Sequence, residues 1–186
     1  STWCHHSNWG SSAYAEFVSH DDYEAGIELV EKSNNVMMTR TFSKLYGLAS
    51  LRLGWGYACK EIADTMDKTR DPFNVPSSSQ AAAVAALKDV EFEKRALAFN
   101  EKWLSWLTDE VSALGLRVIA STTNFIMIKF EDEQKSAIDA NEFLLSRGYI
   151  LRYFKNMDLD DFLRLTVGTK DENKAVVELL KEFLGK

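Results

Sequence analysis

The sequence predicts an α/β chain in two parts, a sheet-and-helix unit followed by a smaller α+β unit. Three observations point there. The first half sets short apolar or β-branched runs ahead of a long helical stretch. The second half alternates short strands with amphipathic helices. Apolar residues are spread along the whole length, with only two prolines and nine glycines to interrupt them. At 186 residues and 46% hydrophobic, the chain can bury a substantial core in one or two domains. The expected boundaries are an irregular or foreign leader at 1–12, a first unit at 13–105 and a second at 106–186.

Taken in order, residues 1–12 fit neither a helical nor a strand period. Residues 14–18 alternate enough to be the end of a strand, and Asp21 and Asp22 suit the cap of a short helix running to Val30. Residues 36–41 form a Met-rich and β-branched run, expected as a buried strand. A further strand is expected at 51–58, where glycines leave room for close approach to the backbone. A short helix follows at 60–68, ended by the break Asp71-Pro72-Phe73-Asn74-Val75-Pro76. Ser77, Ser78 and Ser79 suit the cap of an alanine-rich helix to about Lys88.

A longer amphipathic helix spans 90–114, with Gly115 in the stop position. On it Phe99, Trp103 and Trp106 fall at helical spacing and are expected in the core. Strands are expected at 116–120 and 125–130, a helix at 137–146 with Gly148 just beyond, then strands at 149–153 and 162–167. The last element, 171–184, is an amphipathic helix with Val176, Val177, Leu180 and Phe183 on one side.

The chemistry is concentrated in Thr41-Phe42-Ser43-Lys44-Leu45-Tyr46-Gly47-Leu48-Ala49-Ser50-Leu51-Arg52-Leu53-Gly54. Lysine is costly to bury and loses its charge readily when desolvated, so enzymes use it to form imines with carbonyl compounds. Hydroxyls and an arginine fork suit a phosphate, with its several oxygens and nearly two negative charges. An amine for an aldehyde beside donors for a phosphate describes a site for pyridoxal phosphate (PLP). On spacing alone, a surface lysine in a loop between two buried strands is the commoner explanation.

The complete string closely resembles the cofactor-lysine motif of fold-type I PLP-dependent aminotransferases, and its wording is most similar to the histidinol-phosphate aminotransferase family. The resemblance implies a partial large domain of a fold-type I PLP-dependent transferase plus a C-terminal α+β small domain. It makes Lys44 the lysine that carries PLP covalently and then moves a proton between substrate and cofactor carbons. Thr41, Ser43 and Arg52 become the phosphate group. Tyr14, in Ala13-Tyr14-Ala15-Glu16-Phe17, matches a family tyrosine that bonds the phenolic oxygen of the cofactor.

Two downstream arginines extend the match. Arg164, in Leu163-Arg164-Leu165-Thr166-Val167-Gly168-Thr169, matches the family's substrate-anion arginine, and Arg152, in Gly148-Tyr149-Ile150-Leu151-Arg152, matches a second one on the neighbouring strand. Histidinol phosphate has no carboxylate, so its phosphate is expected in that anion site. Surface salt bridges are the competing explanation for both arginines. Asn124 matches a family turn and is expected only to support the site.

The chain departs from the family at Ser11, three residues before Tyr14, where an aspartate pairs with the ring nitrogen of PLP. Ser12 stands at the following acidic position. Serine supplies no negative charge to raise the ring-nitrogen pKa. The match covers about residues 13–186, roughly the C-terminal half of a family member.

The resemblance therefore implies an aminotransferase of histidine biosynthesis, moving an amino group between histidinol phosphate and 2-oxoglutarate, cytoplasmic and homodimeric. Related phosphothreonine decarboxylases, another aminotransferase specificity, and a fragment with little activity of its own are the alternatives. Other classes fit poorly. With 22 basic and 28 acidic side chains the net charge is −6, and no concentrated basic stripe suggests nucleic acid. No apolar run approaches the ~20 residues that span a bilayer. Two cysteines make no disulfide framework and suggest a reducing compartment, and Cys4, His5 and His6 alone are a weak metal motif, so no metal is expected.

Overall fold

A computed structural model of the chain describes residues 8–11, 13–18, 23 and 26–186. It divides into two compact units, 1–96 and 97–186, and the division falls inside the long helix α4 (Val90–Ala113).

The first unit is built on a three-stranded sheet in the order β1-β2-β3. Strand β1 (Asn8–Ser11) runs parallel to β2 (Val36–Thr41), and β3 (Gly54–Ala58) runs antiparallel to β2 on its other side. Strand β1 lies inside the segment expected to be irregular. Its backbone pairs residue for residue with β2, from Asn8 opposite Val36 to Ser11 opposite Thr39. Ladder bonds of that kind are made whatever the side-chain pattern.

Residues 14–18 are not a strand. Ala15–Phe17 form a single 3-10 turn that begins after Tyr14. Helix α1 (Ile27–Lys32) starts at Gly26, whose φ of 91° is open to glycine; the expected caps Asp21 and Asp22 lie outside the described residues. Strand β3 is shorter than expected because Ala49–Leu51 close a second 3-10 turn ahead of it. Helices α2 (Lys60–Thr69) and α3 (Ser77–Lys88) follow. No side chain caps α3: Ser79 is buried, and its hydroxyl donates to the Leu51 carbonyl at 3.1 Å.

The second unit is a four-stranded antiparallel sheet in the order β4-β5-β7-β6. Its strands are β4 (Arg117–Ile119), β5 (Phe125–Lys129), β6 (Arg152–Tyr153) and β7 (Phe162–Thr166). The period-2 alternation sends Ile126, Ile128, Leu163 and Leu165 to one face. There they bury against Leu107, Val111 and Leu114 of the α4 end, Ala140 and Leu144 of α5 (Ala137–Ser146), and Val176, Val177 and Leu180 of α6 (Lys170–Leu184). Burying a side chain of this size contributes about 1.5–3 kcal/mol.

Trp103 is buried and stacks edge-on with Trp106 at 5.2 Å. Phe99, expected beside them in the core, is 43% exposed, one position too far round the helix. Among the described residues no helix is long and apolar enough to cross a membrane, and no group of three or more His, Cys, Asp or Glu side chains can hold a metal. The Cys4, His5 and His6 motif lies outside the described residues.

Candidate functional site

The lysine loop owes its shape to alternating anchors. Phe42 and Leu45 are buried, and Lys44 between them is exposed. The Gly47 N–H donates to the Lys44 carbonyl at 3.0 Å and the Leu48 N–H to the Phe42 carbonyl at 2.9 Å, folding the loop back on itself. Gly47, with φ 68°, supplies the left-handed residue this turn needs. Where the loop leaves the sheet, Thr41 stands opposite Gly54 and the Phe42 N–H donates to the Leu53 carbonyl at 3.1 Å. Ser43 and Arg52 are therefore the first residues beyond that last bond on the two sides of the loop.

All five sequence-predicted cofactor residues are described, four of them on this loop and at its ends. The Ser43 N–H donates to Thr41 Oγ1 at 3.0 Å, and both side chains are half-buried. Arg52 is exposed and adopts φ 50°, with Nη1 donating to the Ala49 carbonyl at 2.7 Å. Lys44 Nζ lies 5.2 Å from the centre of the Tyr14 ring, within the range of a cation–π contact. Tyr14 itself is half-buried ahead of the 3-10 turn Ala15–Phe17. Ser11 is placed on β1 opposite Thr39 by its backbone, and the expectation about its side chain lies outside the described residues.

Sequence reasoning missed Tyr46, Glu16 and Arg40. Tyr46 packs its ring on Phe42 at 5.2 Å. Burial pushes its hydroxyl pKa up, the negative charges of Glu93 and Glu16 add to the effect, and Arg40 opposes it. Glu16 and Arg40 form an ion pair of 3.4 Å.

In the second unit, Arg152 on β6 stands directly opposite Arg164 on β7. Both line a cleft of about 840 Å³ whose other walls include Thr166, Gly168, Glu172 and Asn173. The Arg164 guanidinium sits 5.0 Å from the Phe125 ring, and its Nε is buried with no hydrogen-bond partner among the described residues. Asn173, also missed, is buried and bonds Gly168 twice, accepting from its N–H at 2.8 Å and donating to its carbonyl at 3.0 Å. Beside it Thr169 and Glu172 form a reciprocal capping box on α6. Asn124 acts through its backbone, its carbonyl accepting from the Val167 N–H at 2.9 Å.

Both sets of residues lie within the stretch that matches known proteins. The family model for Aminotransferase class I and II matches residues 12–180. A histidinol-phosphate aminotransferase of Paramagnetospirillum magneticum is 46% identical over 175 residues, covering 94% of this chain and 48% of that protein. Another, from Caulobacter vibrioides, is 45% identical and is covered to 49%. The crystal structure of histidinol-phosphate aminotransferase from Sinorhizobium meliloti, solved in complex with pyridoxal-5'-phosphate, superimposes with a TM-score of 0.87 at 27% identity, covering 95% of this chain and 48% of that one. The chain thus spans about half the length of the relatives it matches. Since the family match takes in the lysine loop of the first unit and the arginine cleft of the second, the chain belongs to the class I and II aminotransferases.

Proposed function

We propose that this chain supplies the lysine, the phosphate-holding group and the substrate-anion cleft of a PLP-dependent transaminase that moves an amino group between histidinol phosphate and 2-oxoglutarate. The observation that carries the reading is the exposed Lys44 amine over the Tyr14 ring, on a loop whose two ends bear Ser43 and Arg52. The donor set suits PLP: an amine for its aldehyde, hydroxyls and a guanidinium for its phosphate, and a phenol beside the amine. When bound there, PLP supplies a carbonyl for amine exchange and an electron-withdrawing ring.

Each residue then has a separate task. Thr41, Ser43 and Arg52 hold the phosphate end by charge-assisted hydrogen bonds. Lys44 would hold the cofactor through its amine and, from the same loop position, would move a proton at Nζ. Tyr14 would bond the cofactor's phenolic oxygen through its hydroxyl. Ser11 stands where the family places a carboxylate, and as a neutral side chain it gives the ring nitrogen no ionic partner.

Arg152 and Arg164 take the substrate's phosphate. Two arginines at one register position repel unless an anion lies beside them, and a buried guanidinium N–H without a partner among the described residues is itself a position for an acceptor. The names of the curated relatives favour histidinol phosphate over other anionic amines. We further infer a homodimer in the cytoplasm, on the family resemblance and the low cysteine content.

The test is product analysis with histidinol phosphate and 2-oxoglutarate. Formation of glutamate supports transamination. Release of carbon dioxide from phosphothreonine without glutamate would place the protein with the decarboxylases instead.

A further inference from the structure

Behind the lysine loop lies a polar pair to which the proposed chemistry gives no task. Arg40 sits on β2, four residues before Lys44, and Glu16 sits in the 3-10 turn that follows Tyr14. Arg40 Nη1 lies 3.4 Å from Glu16 Oε1, and the two side chains are only 9% and 16% exposed. At that burial an ion pair is costly to assemble and is weak evidence for stability in itself. What it does provide is a tie between two segments, through one charge-assisted contact from Arg40 Nη1 to Glu16 Oε1.

The two segments it ties are the ones that carry Tyr14 and Lys44. Glu16 is two residues from Tyr14, so its anchorage fixes how far the tyrosine ring can move relative to β2. The arginine end is held firmly in turn. A Cβ on Gly54 would lie 2.6 Å from the Arg40 carbonyl, so β3 presses against the backbone of β2 at this residue. Glu16 and Arg40 also both act on Tyr46, two residues past Lys44, with opposite sign. The pair is therefore tied to Tyr14 through the short chain segment that carries Glu16, and acts electrostatically on Tyr46 on the other flank of the lysine.

We propose that the Glu16–Arg40 ion pair is a positioning device for the cofactor lysine, holding the Tyr14 ring against Lys44 Nζ at the observed 5.2 Å. The functional meaning rests on Lys44 being the PLP lysine; the geometric claim does not.

The experiment uses the full 186-residue chain, isotope-labelled and without ligand, in wild-type form and as Glu16→Gln, Arg40→Gln and the double variant. Wild type is expected to give NOE cross-peaks between the Lys44 side chain and the Tyr14 ring. Either single variant loses them while the amide signals of residues 97–186 stay in place, and the double variant is no worse than a single one. The PLP dissociation constant rises about tenfold in each, the effect of a coupling of ordinary size. Glu16→Asp, which keeps the charge on a shorter arm, folds and retains weakened cross-peaks, covering the case in which a neutral variant does not fold. Unchanged cross-peaks in folded Glu16→Gln, with only a lower melting temperature, would overturn the proposal. If wild type and Lys44→Ala bind PLP alike, the cofactor reading fails, and the cross-peaks still decide the geometric claim.

Discussion

Arg152 and Arg164 face each other across the β6–β7 ladder, two positive charges at one register position with Phe125 packed beside the second. Like charges directly opposite on a sheet are unfavourable by roughly 0.2–1 kcal/mol. The arrangement makes sense as a cradle for an anion. Inorganic phosphate should therefore raise the melting temperature of the wild-type chain, by the linkage that gives about 2.7 kcal/mol at a hundred times the dissociation constant. In Arg152→Ala the stability without phosphate should change by less than about 1 kcal/mol, and the phosphate effect should be largely lost. Equal phosphate stabilisation in both proteins, by thermal scan, would assign these arginines to the surface-salt-bridge explanation.

Gly54 and Gly47 limit the lysine loop in different ways. At Gly54 a methyl group meets the Arg40 carbonyl at 2.6 Å, so Gly54→Ala should cost about 1–3 kcal/mol through displacement of β3 from β2. At Gly47 no atom lies within 4 Å of the position, but φ is 68°. There Gly47→Ala should cost about 1–2 kcal/mol, and Gly47→Asn less, because asparagine tolerates the left-handed region. Urea denaturation of the three variants separates the two causes.

Asn173 closes a two-bond ring with the Gly168 backbone at the wall of the arginine cleft. Asn173→Ala leaves the Gly168 groups without those partners and should cost about 1–3 kcal/mol. Asn173→Asp keeps the acceptor for the Gly168 N–H but turns a carboxylate toward the Gly168 carbonyl, and should fall with rising pH.

The Glu172 carboxyl has a pKa below its ordinary value because it accepts from the Thr169 N–H and then from the Thr169 hydroxyl. A lowered folded-state pKa contributes stability that is fully present above the ordinary glutamate value and is lost as pH falls through the folded pKa. The difference in melting temperature between wild type and Glu172→Gln should thus be constant near neutrality and shrink in acid. Thr169→Ala, which removes the partner, should cost about 1 kcal/mol at neutral pH.

Legibility from sequence followed the locality of the signal. Strand β2 at 36–41 and helix α5 at 137–146 were readable to the residue, because a β-branched run and a helical stretch stopped by Gly148 are local signals. Strand β1 was not, since its pairing with β2 is made by backbone across 28 positions and needs no alternation. Strand β6 shrank to Arg152 and Tyr153 because it lies at the sheet edge, where Ile150 is 83% exposed and nothing holds the earlier residues in register. Lys44, Ser43 and Arg52 stood out by their string. Glu16 and Arg40, 24 residues apart and each ordinary in its own segment, carry no sequence signal and were found only in the fold.

The central claim is that Lys44 is the cofactor lysine. Its most direct measurement is borohydride reduction of the chain with PLP, followed by peptide mass spectrometry of wild type and Lys44→Ala. A reduced pyridoxyl adduct on Lys44 is expected in wild type, and none in the Lys44→Ala protein. Equal labelling of the two proteins, or labelling scattered over surface lysines with none preferred, would contradict it.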